Sequence, residues 1–524
     1  MSGTSVERPL GTLAAEALGG PAAPAVRDGG MTCSYGQLEA DSERVARGLL
    51  QAGVGPGDRV ALFMPNCVEL VLAYLGCFKA GAIAVPLNTR YRWPEARYAI
   101  EHSGSTTLLA HSAVIGQLDV PALGGLGIVR CYLAGAGEPA DTFRAFRDLL
   151  TSASTGVPLP ALRPDQLALI LYTSGTTARP KGVAHTHAGL RYTLRAVAAV
   201  RRLTGADTTL ISLSVSHAAA LRSQLLPTIA TGGCSVLLPA FSAEAMQTMP
   251  AMIAEHRVTW IQLLPAQLGE FTEQVIAAAG RYDLSSLRCA YVAGDKAPLA
   301  TLEQFRETLG FEATEYCAMA ECGTYTTNPP FGPKRPGSIG TPMPGTRVRI
   351  DGAARPGDQG EILLRSPGVM QGYWKDPEAT ARALRGGWLH TGDLGWMDED
   401  GYYWYTGRSK FVIVRGGSNI SPLEVEEALN AHPGVQQSAV VGVPDHKLGQ
   451  RVAAYAVARQ GQGPPPSSEE LRSFVAGRLA AYKVPEVIVL LPGLPTTGMG
   501  KTDRTALQRR AESDMRAMGR PVER

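Results

Sequence analysis

The 524-residue sequence lacks features that would place it in several common classes of protein. It has no dense stripe of Lys and Arg, and its formal net charge is only +3, which argues against nucleic-acid binding. Its eight cysteines form no C-x-x-C pair, so their spacing gives no zinc-site pattern and predicts reduced thiols in a cytoplasmic protein. Residues 1–10 contain no apolar run, which argues against a secretory signal.

An uninterrupted apolar run long enough to span a membrane is also missing. The longest apolar stretch, Val68 to Leu87, contains Glu69 and Lys79, and it predicts a buried helix followed by a strand. Hydrophobic residues make up 45% of the chain and charged residues 19%, which is typical of a globular protein. A chain of this length is expected to form more than one domain.

Strand and helix patterns alternate through the first third of the chain. Ser34 and Gln37 predict a capping box at the start of a helix, and the apolar run 59–64 predicts a strand. Alternation of this kind is typical of parallel strands covered by helices. A second block of buried strands is predicted between about residues 205 and 330, and shorter strands punctuated by Gly and Pro follow it.

The end of the chain predicts a small α+β domain. A helix is expected to begin at Ser421, with Pro422 in its first turn and Glu424 closing a capping box. The predicted organisation is therefore an N-terminal domain of residues 1–409 and a mobile C-terminal domain of residues 410–524.

A loop rich in hydroxyl groups follows the apolar run 167–171. Glycine in such a loop lets the backbone approach an anion, and hydroxyl and N–H groups can donate to phosphate oxygens. The Gly-Lys-Ser/Thr ending of a Walker A loop is absent here, and the loop by itself fits a linker as well as a phosphate site. Its candidate phosphate-binding residues are Thr173, Ser174, Gly175, Thr176, Thr177 and Lys181.

Several motifs in order resemble the adenylate-forming superfamily, which includes acyl-CoA synthetases, luciferases and peptide-synthetase adenylation domains. Any one motif alone would be weak evidence, but their order along nearly the whole chain identifies the family. The turn Gly416-Gly417 is more similar to the CoA-ligase branch than to the peptide-synthetase branch. The motifs are the loop 172–183, GYWKDPEAT (372–380), WLHTGD (388–393), YTGRSK (405–410), GGSNISPLE (416–424), YKVP (482–485) and PTTGMGKTDR (495–504).

The resemblance implies both a fold and an activity. The fold is α/β: a large N-terminal domain of two helix-covered mixed β-sheets plus a small β-barrel, followed by a small mobile α+β domain. The activity is that of an acid–thiol ligase that uses ATP and Mg²⁺ to form an acyl-adenylate, releases pyrophosphate, and passes the acyl group to coenzyme A. An enzyme that loads a carrier protein, and a catalytically silent nucleotide binder, remain alternatives. A homodimer is also left open.

Roles for single residues follow from the same resemblance. Lys501 is implied to supply positive charge where the two anionic reactants meet, and Lys410 to be the hinge between domains. Glu321 and Thr176 are the implied magnesium ligands, and Gly416 and Gly417 are implied to approach the pantetheine arm of CoA. The implied ATP or AMP site contains Thr173, Ser174, Gly175, Thr176, Thr177, Lys181, Gly294, Asp295, Tyr316, Cys317, Ala320, Asp393 and Arg408.

The sequence departs from the family pattern at the adenine motif. The usual Tyr-Gly-x-Thr-Glu reads Cys-Ala-Met-Ala-Glu over residues 317–321. Cys317 thus stands in place of the aromatic residue that stacks on adenine, and Tyr316 is a candidate substitute.

The acid-binding side is predicted from the place of the family's aromatic–His pair, which Ser216 and His217 occupy. A core histidine is the alternative interpretation of His217. Ser216, Ala219 and Ala318 are candidate walls of the acyl pocket, and all three side chains are small. Because no Asp or Arg stands in these segments, apart from Asp295, the predicted substrate is a bulky, largely apolar acid, either a fatty acid or a polycyclic acid.

Overall fold

The computed structural model describes residues 8–17, 19–136, 142–151, 156–173, 180–240, 242–445, 447–459, 464–497 and 500–517. Its strands, in chain order, are β1 (Pro24–Asp28), β2 (Met31–Ser34), β3 (Arg59–Phe63), β4 (Ile83–Pro86), β5 (Thr107–His111), β6 (Arg130–Ala134), β7 (Arg144–Ala145), β8 (Leu167–Thr173), β9 (Lys181–Thr186), β10 (Thr208–Ile211), β11 (Cys234–Leu237), β12 (Trp260–Leu263), β13 (Cys289–Val292), β14 (Thr314–Met319), β15 (Gly323–Thr327), β16 (Thr341–Pro342), β17 (Arg347–Ile350), β18 (Gly360–Arg365), β19 (Gly372–Tyr373), β20 (Leu389–Met397), β21 (Tyr403–Arg408), β22 (Ile413–Arg415), β23 (Ser418–Ile420), β24 (Val435–Asp445), β25 (Gly449–Ala458) and β26 (Val487–Leu491).

The α-helices between these strands vary from one turn to several turns. A π-helical segment, Leu221–Leu225, joins the sixth to the seventh. The helices are α1 (Tyr35–Gln51), α2 (Val68–Ala80), α3 (Trp93–Ser103), α4 (Arg147–Thr151), α5 (His187–Val200), α6 (Ala218–Ala220), α7 (Leu226–Thr231), α8 (Ala243–His256), α9 (Pro265–Ala278), α10 (Leu299–Leu309), α11 (Pro377–Ala383), α12 (Pro422–Asn430), α13 (Ser468–Ala476) and α14 (Arg504–Ala517).

Two large mixed sheets dominate the N-terminal part, as the sequence predicted. One has the strand order β16-β15-β14-β13-β12-β10-β11-β1-β2, and the other has the order β19-β9-β8-β4-β3-β5-β6-β7. The inner strands of both pair in parallel, whereas antiparallel pairs lie towards the edges, for example β14 with β15 and β8 with β9. Parallel inner strands need crossover connections, and the helices that make them cover the sheets.

The local sequence signals near the start of the chain are confirmed. Ser34 and Gln37 form the predicted capping box of α1, with each side chain accepting a hydrogen bond from the other residue's backbone N–H. The apolar run from Val68 forms the buried helix α2 and then strand β4, as predicted. No helix in the described ranges is long and apolar enough to cross a membrane.

Two smaller sheets follow. The region predicted as a small β-barrel contains a four-stranded antiparallel sheet with the order β17-β18-β20-β21. The C-terminal part contains a five-stranded sheet with the order β23-β22-β25-β24, in which β26 also pairs with β25. Helices α12 and α13 contribute to one apolar cluster against this sheet, and α14 contributes to another.

One predicted cap is wrong. Ser421 precedes α12 and Pro422 occupies its first turn, but the Ser421 side chain accepts no capping hydrogen bond. Its hydroxyl instead donates to the backbone oxygen of Thr406, and Glu424 pairs with Lys483. Long-range partners therefore displace the local capping box.

The cysteine thiols are free, as the spacing predicted. Most are buried, and burial raises the pKa of Cys77 to about 12. Cys67 lies with Glu69 and His111 so that potential ligand atoms of the three fall within 4.8 Å of one another, a grouping for which the sequence gave no sign.

Candidate functional site

The centre of the candidate site is an ion pair between two neighbouring strands, in which Asp393 is buried and Arg408 is partly exposed. Asp393 on β20 faces Arg408 at the end of β21, and their side chains approach to 2.8 Å. The Tyr325 hydroxyl donates to the same carboxylate at 3.3 Å. Burial raises the pKa of Asp393, while Arg408 and Tyr325 oppose that rise. The structure therefore places a carboxylate beside a positive group, and both residues, Asp393 and Arg408, belong to the implied nucleotide-binding set.

Lys501 reaches this centre from the C-terminal part of the chain. It lies in a turn whose two sides pair at Thr496 and Thr502. The Lys501 side chain passes close to Gly294, because a Cβ at Gly294 would lie 3.4 Å from Lys501 Cε, an ordinary van der Waals contact. Burial and Arg408 lower the pKa of Lys501, whereas Asp295 and Asp393 oppose this change. An amine distant in sequence thus joins the Asp393–Arg408 pair.

The contact between the two parts of the chain is supported by charge. Lys296, in the loop between β13 and α10, pairs with Glu427 on α12. The neighbouring Asp295 acts electrostatically on Lys501 and Arg504. Opposite charges on facing elements favour the arrangement in which Lys501 faces the site.

A second group of predicted residues surrounds Glu321. The Tyr373 hydroxyl donates to Glu321 Oε1 at 2.9 Å, and Lys181 Nζ lies 4.8 Å from the centre of the Tyr373 ring. Thr173 pairs with Lys181 across β8 and β9, so these two residues mark the two ends of the predicted phosphate loop. The loop residues Ser174, Gly175, Thr176 and Thr177 lie outside the described residues.

The two candidates for the adenine contact face different surroundings. Cys317 lies near Asp393 and Tyr325, and burial together with Asp393 raises its pKa to about 12. Tyr316 packs instead against Trp260 and Tyr291. Adjacent residues of a strand point to opposite faces, so β14 brings Cys317 to the nucleotide side and directs the Tyr316 ring elsewhere.

We expect that Tyr316→Leu will leave the KM for ATP almost unchanged. A lost base stack would weaken ATP by about 1–3 kcal/mol, but the Tyr316 ring packs away from Asp393. Steady-state kinetics at saturating acid would measure this, with a melting curve as the control for folding. A clear rise in the ATP KM without a fall in Tm would mean that the ring contacts adenine.

On the predicted acid-binding side, His217 lies close enough to Lys501 for the amine charge to act on its imidazole. Burial and the charge of Lys501 lower the pKa of His217 to about 3, so the imidazole is neutral at physiological pH. Its Nδ1 accepts from the backbone N–H of Ala219 at 3.3 Å, at the start of α6. Ser216 is buried, and its hydroxyl has no hydrogen-bond partner among the described residues. His217 therefore lies beside Lys501, and Ser216 is its neighbour in the chain.

Other predicted residues lie at the edges of this group. Ala318 packs beside the aromatic cluster of Tyr316, and the backbone oxygen of Ala320 accepts from Arg222 at 2.7 Å. Lys410 follows Arg408 in a short turn, and burial and Arg408 lower its pKa to about 8.

The predicted CoA turn lies between β22 and β23. Gly416 and Gly417 both have positive φ, 56° and 80°, which favours glycine. A Cβ at Gly416 would meet only Leu448, at 4.0 Å, and a Cβ at Gly417 would meet nothing within 4 Å. The turn thus presents open space at both glycines.

Some residues of the site carried no signal in the sequence analysis. Tyr325 contacts Asp393, and Tyr373 contacts Glu321, although Tyr373 lies inside a recognised motif. Gln262 donates to the backbone oxygen of Ala219 at 3.1 Å. These contacts join segments that are distant in sequence, so no local spacing could reveal them.

Comparison with known proteins accords with this geometry. The family "AMP-binding enzyme" matches residues 13–374, and "AMP-binding enzyme C-terminal domain" matches residues 424–501. The chain is 36% identical to a feruloyl-CoA synthase from Amycolatopsis sp over 499 residues, which cover 94% of this chain and 96% of that protein. It is 33% identical to an oxalate–CoA ligase from Arabidopsis thaliana over 493 residues, with coverage of 91% and 93%.

Solved structures give the same result for the fold. The anthranilate CoA ligase AuaEII in complex with anthranoyl-AMP aligns with a TM-score of 0.89 at 27% identity and covers 98% of both chains. The o-succinylbenzoate CoA synthetase of Bacillus subtilis aligns with a TM-score of 0.82 at 31% identity, covering 96% of this chain and 98% of that one. The chain therefore belongs to the family of AMP-binding enzymes, the adenylate-forming superfamily that its motifs resemble.

Proposed function

We propose that the protein is an ATP-dependent acid–CoA ligase, which forms an acyl-adenylate from a carboxylic acid and then transfers the acyl group to coenzyme A. The observation that carries this proposal is the position of Lys501 beside the ion pair of buried Asp393 with Arg408. A silent nucleotide binder would have no need for an amine inserted from the C-terminal part of the chain. Relatives named for CoA ligation support CoA as the acceptor.

The first half-reaction joins two anions. A carboxylate oxygen attacks the α-phosphate of ATP, the bond to pyrophosphate breaks, and a mixed anhydride with AMP forms. Lys501 and Arg408 supply positive charge at the point where the negative groups meet, in a partly buried site where charge acts strongly. Asp393 has acceptor oxygens for ribose hydroxyls. Neutral His217 lines the acid side without adding charge.

Glu321 fits the role of a magnesium ligand. Its carboxylate is a hard oxygen donor, and among the described residues it receives one side-chain hydrogen bond, from Tyr373, so acceptor capacity remains. Bound there, Mg²⁺ would neutralise phosphate charge. Thr176 is the proposed second ligand, and Lys181 would add positive charge at the phosphates.

The second half-reaction requires that Lys501 leave and the thiol of CoA enter. We assign residues 410–524 to a mobile domain and residues 1–409 to the domain that keeps the adenylate. Lys410, in the short turn between β21 and β22, is the proposed hinge. The open Gly416-Gly417 turn would then approach the pantetheine arm, because missing side chains leave room for it.

The acid is proposed to have a bulky, largely apolar body. Ala219 and Ala318 keep the predicted walls small, and aromatic rings lie directly behind Ala318. Those rings favour a broad, short acid over a long straight chain. The names of relatives cover both aromatic acids, as in indoleacetate–CoA ligase, and small polar acids, as in sulfoacetate–CoA ligase, so they do not choose between these classes.

We expect purified protein to convert ATP, CoA and at least one apolar or aromatic acid into AMP, pyrophosphate and the acyl-CoA. Mass spectrometry of reactions with a panel of acids, each with and without CoA, would measure this. An adenylate that accumulates despite CoA would point to a carrier protein as the acceptor. Absence of both adenylate and thioester with every acid would contradict the proposal.

A further inference from the structure

A buried arginine lies close to the predicted acyl pocket. Arg201 follows α5, and only 3% of its surface is exposed. Its guanidinium lies 3.8 Å from the ring centre of Tyr291, 5.0 Å from that of Trp260 and 5.3 Å from that of Tyr316. Three aromatic faces from β12, β13 and β14 thus enclose one cation.

The positive charge of Arg201 has no anionic partner in the ranges that the structure describes. Asp207, six residues later, pairs instead with Arg288 at 2.9 Å. The Arg201 guanidinium donates to the backbone oxygen of Ser223 at 2.6 Å and to Gln262 Oε1 at 3.2 Å. The Tyr316 hydroxyl accepts a third hydrogen bond from this side chain. A guanidinium carries five N–H groups, so these three bonds still leave donors over. Burial of a cation without an anion is costly.

A chain of contacts links Arg201 to the surface beside Lys501. Gln262 accepts from Arg201 through its Oε1 and donates through its Nε2 to the backbone oxygen of Ala219, at 3.1 Å. Ala219 is two residues from His217, on which the Lys501 charge acts. On the other wall, Ala318 packs into the cluster of Tyr316 and its neighbours. Arg201 therefore lies behind the two predicted walls, remote from the reacting end.

A second observation points to a ligand beside Arg201. The indole N–H of Trp260, whose ring lies 5.0 Å from the Arg201 guanidinium, is fully buried and has no acceptor among the described residues. At the other end of the chain of contacts, next to His217, the buried Ser216 hydroxyl also has no hydrogen-bond partner among those residues. Buried polar groups are normally paired, so a polar atom of a bound molecule would complete this site.

We propose that Arg201 is a specificity-determining residue, and that it selects acids with a hydrogen-bond-accepting oxygen at the end remote from the reacting carboxylate. The inference rests on the proposed function, because it places the substrate of that ligase. It adds to the apolar body a distal oxygen, which the aromatic cluster would hold against the Arg201 guanidinium. The oxygen can belong to a hydroxyl, an ether or a second carboxylate, and all three accept from N–H groups.

The test uses phenylacetates that differ only at the para position: methyl, hydroxyl, methoxy and carboxylate. Methyl and hydroxyl have nearly the same size, so this pair isolates the acceptor oxygen. Adipate and hexanoate form an aliphatic pair. For the full-length protein we expect kcat/KM to favour the acceptor-bearing acid of at least one pair by about tenfold or more, because bonds to a charged donor are strong.

Arg201→Met should remove this preference, so that the two acids of that pair differ by less than about twofold, while turnover of the methyl or unsubstituted acid is kept. Arg306→Met is the control, because Arg306 pairs with Glu303 at a half-exposed position on α10, and its loss should leave the preference intact. Arg201→Lys keeps the charge and should keep part of the preference for a carboxylate.

Acid binding to the AMP-loaded protein, measured by calorimetry, separates this inference from the ligase itself. If wild-type protein prefers the acceptor-bearing acid in binding and Arg201→Met abolishes that preference, the role of Arg201 is supported even when no acid is turned over. Absence of turnover would overturn only the proposed function. Equal affinity of wild-type protein for both acids of every pair would overturn the inference that Arg201 determines specificity. The inference would also fail if Arg201→Met or Arg201→Lys protein kept the wild-type Tm but bound every acid more weakly by the same factor, since a purely structural role gives that result.

Discussion

Lys501→Ala is expected to abolish formation of the acyl-adenylate and to spare thioester formation from supplied acyl-AMP. The amine lies beside Arg408 and Asp393, where carboxylate and α-phosphate are proposed to meet. Loss of one stabilising group at a developing charge costs about 100- to 1,000-fold in rate. The thiol step begins from an activated acid and needs no charge at that phosphate. Acid-dependent exchange of pyrophosphate into ATP measures the first step, and release of acyl-CoA from acyl-AMP measures the second.

The control for Lys501→Ala is Arg510→Ala, which removes a positive charge from α14 at a half-exposed position. It should leave both half-reactions unchanged.

The pH profile of adenylation gives an independent check on Lys501. The charged amine exists below its pKa, which burial lowers, so adenylation should decline on the alkaline side earlier than an exposed lysine would predict. Lys501→Arg, which stays charged, should lose that decline. Equal loss of both half-reactions in Lys501→Ala would contradict the assignment.

Lys410→Pro is expected to have the opposite selectivity. Lys410 lies in the turn Ser409–Phe411 that joins β21 of the third sheet to β22 of the C-terminal sheet. Proline fixes its own φ and restricts the preceding residue, so the turn could not take up a second conformation. A single turnover with ATP and acid should therefore still yield adenylate, while transfer to CoA should fall by about a hundredfold or more, as expected when a conformational step is blocked.

Lys410→Leu separates the hinge from the charge. The Lys410 amine lies close to Arg408 and Asp393, which perturb its pKa, so the proline variant also removes an electrostatic neighbour of the site. Leucine removes the amine but leaves the backbone free, and it should retain both half-reactions within a few-fold, because any effect would come from charge alone. If adenylate formation also disappeared in Lys410→Pro while the protein kept its Tm, the hinge assignment would fail.

The family and the α/β fold class could be predicted from the sequence, which also supplied most of the charged candidates for the site. These properties are local: a capping box such as Ser34 with Gln37 satisfies backbone groups within one turn. A motif such as the one around Asp393 keeps residues in fixed order on one strand. Hydrophobic periodicity likewise reports which face of a single element is buried, so α2 and β4 were predicted correctly.

The direction in which each side chain points, and the residue with which it pairs, could be read only from the tertiary structure. The sequence places Tyr316 and Cys317 side by side, but only the pairing of β14 within its sheet decides that Cys317 faces Asp393. Ser421 resembles a local cap, yet its hydroxyl bonds to Thr406 because packing brings β21 against α12.

The approach of Lys501 to Asp393 and the enclosure of Arg201 by three aromatic rings also join elements far apart in the chain. Such contacts depend on how sheets and domains pack, and the energy of a buried charge depends on everything around it. The sequence by itself therefore determined which chemical groups this protein carries and on which elements. Only the tertiary structure decided which of those groups meet, because burial and long-range contacts are properties of the packed molecule.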